Sequence, residues 1–237
     1  MSVAGSAYIV ADLERMVQAK NYLAWQARVV LPEVGQRVLE VGCGIGNFTG
    51  RLLDRETVIA VDVEQECIDR LAERYGNRPN LRAFAFDIDA GRFADLARFA
   101  PDSCVCLNVL EHVRDDDAAL RGMASALPSG GKIVLIVPAF PSLYGPIDRN
   151  LGHFRRYTRA SLTRLATAVG LRVNKLKYMN FAGFFGWWMN SHIFRRQEQS
   201  ESQIRFFDRN VVPVAWRVEK LIPPPFGQSV VAVLEKS

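Results

Sequence analysis

Nowhere in these 237 residues do about eighteen uncharged apolar residues follow one another, so no stretch reads as a membrane-spanning helix. The opening MSVAGSAYIVADLERMV is broken by Asp12, Glu14 and Arg15 before an apolar run long enough for a signal peptide can form, and a cytoplasmic location is expected. Cysteine is scarce. Cys43, Cys67, Cys104 and Cys106 are scattered or embedded in strand-like runs, and the Cys-x-Cys at 104–106 lacks a second pair at zinc spacing, so reduced, buried thiols are expected. No repeat or low-complexity linker divides the chain, which points to one domain over 1–237. A strong charge of one sign is also missing. Thirty Lys and Arg against 25 Asp and Glu leave +5, a balance that tolerates acidic ligands without demanding nucleic acid. What remains, 49% hydrophobic and 23% charged, is the composition of a globular fold with a buried core.

Apolar runs of strand length alternate with segments of helical period. RVLEVG (37–42), TVIAVD (57–62), LRAFAFD (81–87), SCVCLNV (103–109) and GKIVLIVP (131–138) are rich in β-branched residues and end at Gly, Asp, Asn or Pro. NFTGRLLDR, EQECIDRLAERYG and DDDAALRGMASALPSGG, lying between them, space apolar residues three and four apart and read as helices. Strands alternating with helices imply an α/β fold whose parallel sheet is covered on both faces. Further on, TRASLTRLATAVGL (158–171) reads as a helix capped by Thr158, and RVNKLKYMN (172–180) and SVVAVLEKS (229–237) as two more strands. The expectation is a seven-stranded, mostly parallel sheet with an N-terminal helical cap (1–34), a ligand-binding core (35–178), a helical insertion or lid (179–228) and a final strand (229–237). An insertion of that length inside a compact domain is usually functional.

VLEVGCGIGNFT (38–49) sets Gly42, Gly44 and Gly46 at the end of the first strand, where missing side chains let the backbone approach a ligand. The dinucleotide fingerprint is incomplete, since Asn47 stands where its third glycine belongs, and no Gly-Lys-Ser/Thr follows for a P-loop. Asp62, ending the second strand, is placed to accept hydrogen bonds from ribose hydroxyls, and Asp87 with Ile88 offers a polar atom and an apolar wall suited to an adenine edge.

LEVGCGIGNFT, the AVD containing Asp62, the FD containing Asp87 and LNVLEHV (107–113) resemble the successive motifs of class I S-adenosylmethionine-dependent methyltransferases, whose fold is Rossmann-like. NYLAWQ (21–26), the segment from PSGG to GHFRRYT (128–158) and PPPFGQSVVAVL extend the similarity to a bacterial small-molecule subfamily often associated with glycosyltransferases. The resemblance implies S-adenosylmethionine as cofactor. It puts Gly42, Gly44 and Gly46 beside the methionine moiety with Glu40 supporting the loop, Asp62 on the ribose, Val63 and Ile88 around the adenine, Asp87 on its amino edge and Asn108 near the methionine end. For Glu40 a purely structural contact behind the loop is the competing reading.

Methyl transfer needs an aligned acceptor and, for some nucleophiles, a base; it needs no metal, and none is expected. His153 and His112 are the candidate bases, with His192 behind them, because an imidazole titrates near working pH. GHFRRYT (152–158) follows the fifth strand and is expected to wall the acceptor pocket, with Arg155 or Arg156 pairing with an anionic group, unless both instead pair with Asp148 or Asp87. Tyr144, Asp148 and Tyr157 are expected neighbours, and Tyr22 and Trp25 further candidates for substrate contact. FAGFFGWWMN (181–190) is apolar on more than one helical face, as befits a core element, a pocket lid, or a weak membrane or homodimer contact through 181–196. The carboxylates at 115–117 fit a helix N-terminus better than a metal site.

The leading expectation is methyl transfer to an O or N nucleophile of a small molecule. A nucleic-acid methyltransferase is disfavoured because no Asn/Asp-Pro-Pro-Tyr/Phe motif and no basic stripe is present. A non-catalytic cofactor-binding scaffold acting through a partner is the third reading.

Overall fold

A computed structural model describes the backbone of residues 3–237 and the side chains from Val10 onward. In chain order the strands are β1 (Arg37–Val41), β2 (Thr57–Asp62), β3 (Leu81–Ala85), β4 (Ser103–Leu107), β5 (Lys132–Pro138), β6 (Leu171–Met179) and β7 (Ser229–Lys236). The α-helices are α1 (Val3–Met16), α2 (Lys20–Val30), α3 (Gln65–Tyr75), α4 (Asp116–Ser125), α5 (Pro146–Asn150), α6 (Arg159–Ala168), α7 (Phe181–Trp188), α8 (Glu201–Phe206) and α9 (Val212–Leu221).

All seven strands lie in one sheet of order β3-β2-β1-β4-β5-β7-β6. Neighbours among the first five run parallel, while β7 is antiparallel to both β5 and β6. The fold class read from the sequence is borne out: a Rossmann-like, mostly parallel sheet in which the final strand closes between two earlier ones. Successive strand residues point to opposite faces. Leu39, Val41, Ile59, Cys104, Cys106 and Leu135 therefore pack with Leu120 and Met123 of α4 and Leu162 of α6. On the other face Val38, Val58, Ala60, Val105 and Val134 meet Trp25 and Val30 of α2, Leu71 of α3 and Val212 of α9. Burial on both faces is why these strands read as continuous apolar runs rather than alternating ones. The four cysteines are free and buried.

Local capping matches the sequence in two places. Asp115 Oδ1 accepts from Ala118 N at 2.9 Å to start α4, and Thr158 Oγ1 accepts from Ser161 N at 3.0 Å to start α6. One expectation fails. NFTGRLLDR forms only a 3₁₀ turn at Thr49–Arg51. Its residues are pinned singly: the Thr49 hydroxyl donates to Glu40 Oε2 at 2.7 Å, and Gly50 sits so close to the Tyr75 ring hydroxyl that a Cβ there would stand 2.6 Å from it. This segment therefore brings no α-helix N-terminus to the ligand loop.

The segment between β6 and β7 is tied back to the rest of the domain by two carboxylates. Asp208 accepts from Tyr22 N at 2.8 Å and Asn21 N at 3.1 Å, supplying from far along the chain the cap that Ala19 cannot give α2. Glu219 on α9 does the same for α7, accepting from Phe181 N at 2.7 Å and Asn180 N at 3.1 Å. Single turns of π-helix at Met189–Ile193 and Phe207–Val211 interrupt this segment. The strand order reverses at β1 and β4, and the loops after them open a crevice at their carboxyl ends.

Candidate active site

That crevice is a cavity of about 710 Å³. Its floor is the loop after β1. Gly42, Gly44 and Gly46 all have φ in the left-handed region, at +74°, +51° and +83°, which glycine alone adopts without strain. At Gly42 space forbids a side chain as well, since a Cβ would lie 2.1 Å from Val109 Cγ2. Gly42, Cys43 and Gly44 line the cavity; Gly46 does not, turning instead toward Tyr75 and Leu71. The bend leaves a bare main-chain cradle beside Asp62, whose carboxylate accepts from Gly44 N at 2.8 Å and Glu64 N at 3.1 Å. Burial raises the Asp62 carboxyl above its ordinary value, opposed by these hydrogen bonds.

Glu40 lies beneath the loop, buried and bonded to Thr49. It also touches the cavity, so support and ligand contact are compatible. Burial pushes its carboxyl up to about 8. Val63, half exposed, and Ile88 line the same end. Asn108, with φ +55° and its N–H on the Ile136 carbonyl, lies where β4 meets the cavity. Asp87, expected at the adenine amino edge, is exposed, closes a turn by accepting from Asp89 N at 2.9 Å, and is not among the lining residues. Strand β3 stops at Ala85, two residues earlier than its apolar run suggests.

The opposite end is made by Glu111, His112, His153 and Arg156. A short loop after α5 carries His153, whose Nδ1 lies 2.9 Å from Asp148 Oδ1. The same oxygen accepts from Arg156 Nε at 2.8 Å, and Gly145 N donates to Asp148 Oδ2 at 2.9 Å. Burial alone would raise the Asp148 carboxyl, but the His153 hydrogen bond and the Arg156 charge outweigh it and hold it below the usual carboxylate range. The His112 and His153 rings meet edge to face with centroids 4.6 Å apart. Burial, then the neighbouring His153, depresses His112 to about 3, so it is a neutral imidazole at working pH. Glu111, missed in the sequence reading although it precedes His112, is 1% exposed, and burial lifts it to about 7.

The rest of GHFRRYT turns away from the cavity. Arg155 pairs with Asp116 at 2.7 Å and donates to the Arg114 carbonyl. Tyr157 is buried and donates to Asp116 Oδ2 at 2.8 Å. Tyr144 donates its hydroxyl to the His153 carbonyl at 2.7 Å and, with Arg155 and Phe154, borders a separate shallow hollow. Arg156, paired with Asp148, also lies over the Trp187 ring at 4.6 Å. Arg155 is thus paired with Asp116 away from the cavity, whereas Arg156 lines it while paired with Asp148, the pairing expected as the alternative to an anionic acceptor. Tyr22 lines the cavity, whereas Trp25 packs into the core beneath it. His192 is hydrogen-bonded to the Trp188 carbonyl and stacked on that ring, away from the lining.

The remaining wall comes from α1 and the 179–228 segment, where Leu13, Met16, Trp187, Met189, Phe194, Ile204 and Phe206 contribute apolar surface. Phe194 and Phe206 are also more than half exposed, so the rim is apolar. Among the described residues no helix is long and apolar enough to cross a membrane.

A methyltransferase-domain family model matches residues 13–176. The chain belongs to that methyltransferase family. Membership fixes the cofactor as S-adenosylmethionine, and the bare glycine cradle beside Asp62 suits its methionine and ribose. The methyltransferase is 35% identical over 120 residues to a ubiquinone biosynthesis O-methyltransferase of Xanthomonas campestris pv. campestris, covering 48% of this chain and 46% of that protein. It is 28% identical over 170 residues to the protein of the same name from Idiomarina loihiensis, covering 63% and 68%. The chain thus spans under half the length of the first of these relatives. Among solved structures, the methyltransferase bound to the Trm112 activator of Haloferax volcanii superposes with a TM-score of 0.65 at 17% identity, over 97% of this chain and 94% of that one. At that identity the likeness concerns the fold.

Proposed function

We propose that this methyltransferase transfers the methyl group of S-adenosylmethionine to a hydroxyl of a small molecule with an apolar body. When bound, the cofactor supplies a methyl group on a sulfonium, and the displaced electron pair stays on sulfur. One observation carries the reading: a single cavity joins the glycine cradle and Asp62 at one end to His112 and His153 at the other. Gly42, Gly44, Asp62, Val63, Ile88 and Asn108 hold the cofactor, and Glu40 keeps the loop in place. His153, fixed by Asp148, is where the acceptor hydroxyl loses its proton, with the neutral His112 ring beside it. Tyr22, Trp187, Met189 and Phe206 wall the acceptor and exclude water. The apolar lining argues for the apolar body, and the name of the curated O-methyltransferase relatives supports oxygen as the methylated atom.

The test is transfer of a labelled methyl group from S-adenosylmethionine to a panel of hydroxylated aromatic and aliphatic compounds, beside matched amines. Label on a hydroxyl compound, lost in His153→Gln, is the expected result; label confined to the amines would contradict it.

A further inference from the structure

The acceptor end contains a feature that proton transfer alone leaves unused. Glu111 is 1% exposed, yet its Oε2 has no hydrogen-bond partner among the described residues. A buried carboxylate oxygen left in that state is costly, and a native fold rarely keeps one without reason. Donor atoms of Glu111, His112 and His153 all lie within 4.8 Å of one another. One imidazole is already held from elsewhere, since His153 Nδ1 lies 2.9 Å from Asp148 Oδ1. Such an outer hydrogen bond occupies one nitrogen of the ring, fixes its orientation and leaves the other as a donor atom, which is how metal-bound histidines are supported.

We propose that Glu111, His112 and His153 bind a divalent first-row transition cation at the acceptor end of the cavity. Two imidazole nitrogens and one carboxylate suit zinc, cobalt or iron, whereas magnesium and calcium prefer oxygen throughout. Ligands about 2.1 Å from an ion stand roughly 3 to 4 Å apart, so a sub-ångström side-chain adjustment closes the site. Asp148 is spent on His153 and Arg156, Asp115 caps α4 and Asp116 pairs with Arg155 and Tyr157, so none of these three competes for the ion.

Three protein ligands leave coordination positions open to the cavity. The role of the ion rests on the proposed methyl transfer. A hydroxyl bound there ionises more readily, its proton passing to water; the oxygen then bonds to the methyl carbon as the carbon–sulfur bond breaks toward sulfur. With the ion in place His153 serves as a ligand, and the acceptor is activated on the metal rather than by the ring.

The experiment uses the whole chain, stripped with a chelator and desalted. Co²⁺ is added while the visible spectrum is followed, and Zn²⁺ uptake is measured by calorimetry. One equivalent should bind with new visible cobalt bands, and affinity should fall at least tenfold in Glu111→Gln and in His112→Asn. S-adenosylhomocysteine binding within about threefold of the parent chain shows that the variants are folded and that the cofactor reading stands. No uptake by the parent chain, or equal uptake by both variants, overturns the site. Loss of S-adenosylhomocysteine binding by the parent chain would instead overturn the proposed function, and cobalt uptake would still decide the metal.

Discussion

The two ends of the cavity are built by different means. The donor end is mostly local: one loop with Gly42 and Gly44 in the left-handed region and the acid closing the next strand lie within residues 40–64, joined only by Ile88 and Asn108. The acceptor end gathers Glu111 and His112 after β4, His153 and Arg156 after α5, and an apolar wall from residues 180–208, so its geometry depends on how distant elements dock. Local construction tolerates little change in backbone, and assembled construction little change in anchoring. Substitutions at the two ends should therefore fail in separable ways.

The largest effect is expected at Gly42. Alanine there meets both a left-handed φ and the Val109 side chain, so calorimetry should show S-adenosylhomocysteine affinity lower by about a hundredfold or more. His153→Gln should give the reverse pattern, with turnover down about a hundredfold and cofactor affinity within about threefold. A loss of cofactor affinity in that variant would erase the distinction between the ends. Asp62→Ala should cost about tenfold in cofactor affinity, because its carboxylate holds the loop amide and, in the proposed site, the ribose. Asp208→Ala removes the distant cap of α2 and should lower stability to urea by about 1 kcal/mol, with hydrogen exchange faster at the start of α2.

The last effect concerns pH. Burial raises Glu40 to about 8, so the folded chain holds that proton more tightly than the unfolded one. Its contribution to stability is complete below an ordinary carboxylate value and is lost as pH rises through about 8. Unfolding measured across that window should show this slope, at most about 1.4 kcal/mol per pH unit, flattened in Glu40→Gln.

The contrast also explains what the sequence could reveal. Strands β1, β2, β4, β5 and β7 were legible because burial on both faces leaves unbroken apolar runs, and the donor loop because glycine spacing and Asp62 are a short-range pattern. NFTGRLLDR misled because helical spacing of Phe48, Leu52 and Leu53 persists although Thr49 and Gly50 are fixed by tertiary contacts. GHFRRYT was placed beside the site, but the facing of each residue depends on which carboxylate it pairs with in the fold: the nearby Asp148 turns His153 and Arg156 inward, while the distant Asp116 draws Arg155 and Tyr157 outward. Glu111 went unnoticed because a buried carboxylate without a partner is recognisable only in three dimensions. The role of the insertion was equally hidden, since its dense aromatics suit a core, a lid or a contact surface, and only docking through Asp208 and Glu219 brings Trp187, Met189 and Phe206 to the cavity.

A crystal structure of the chain with S-adenosylhomocysteine tests the central claim most directly. The account requires the ribose hydroxyls on Asp62, the homocysteine portion along Gly42 and Gly44, and the sulfur directed toward His112 and His153. A sulfur pointing away from that pair, or toward the hollow beside Tyr144 and Arg155, would contradict it.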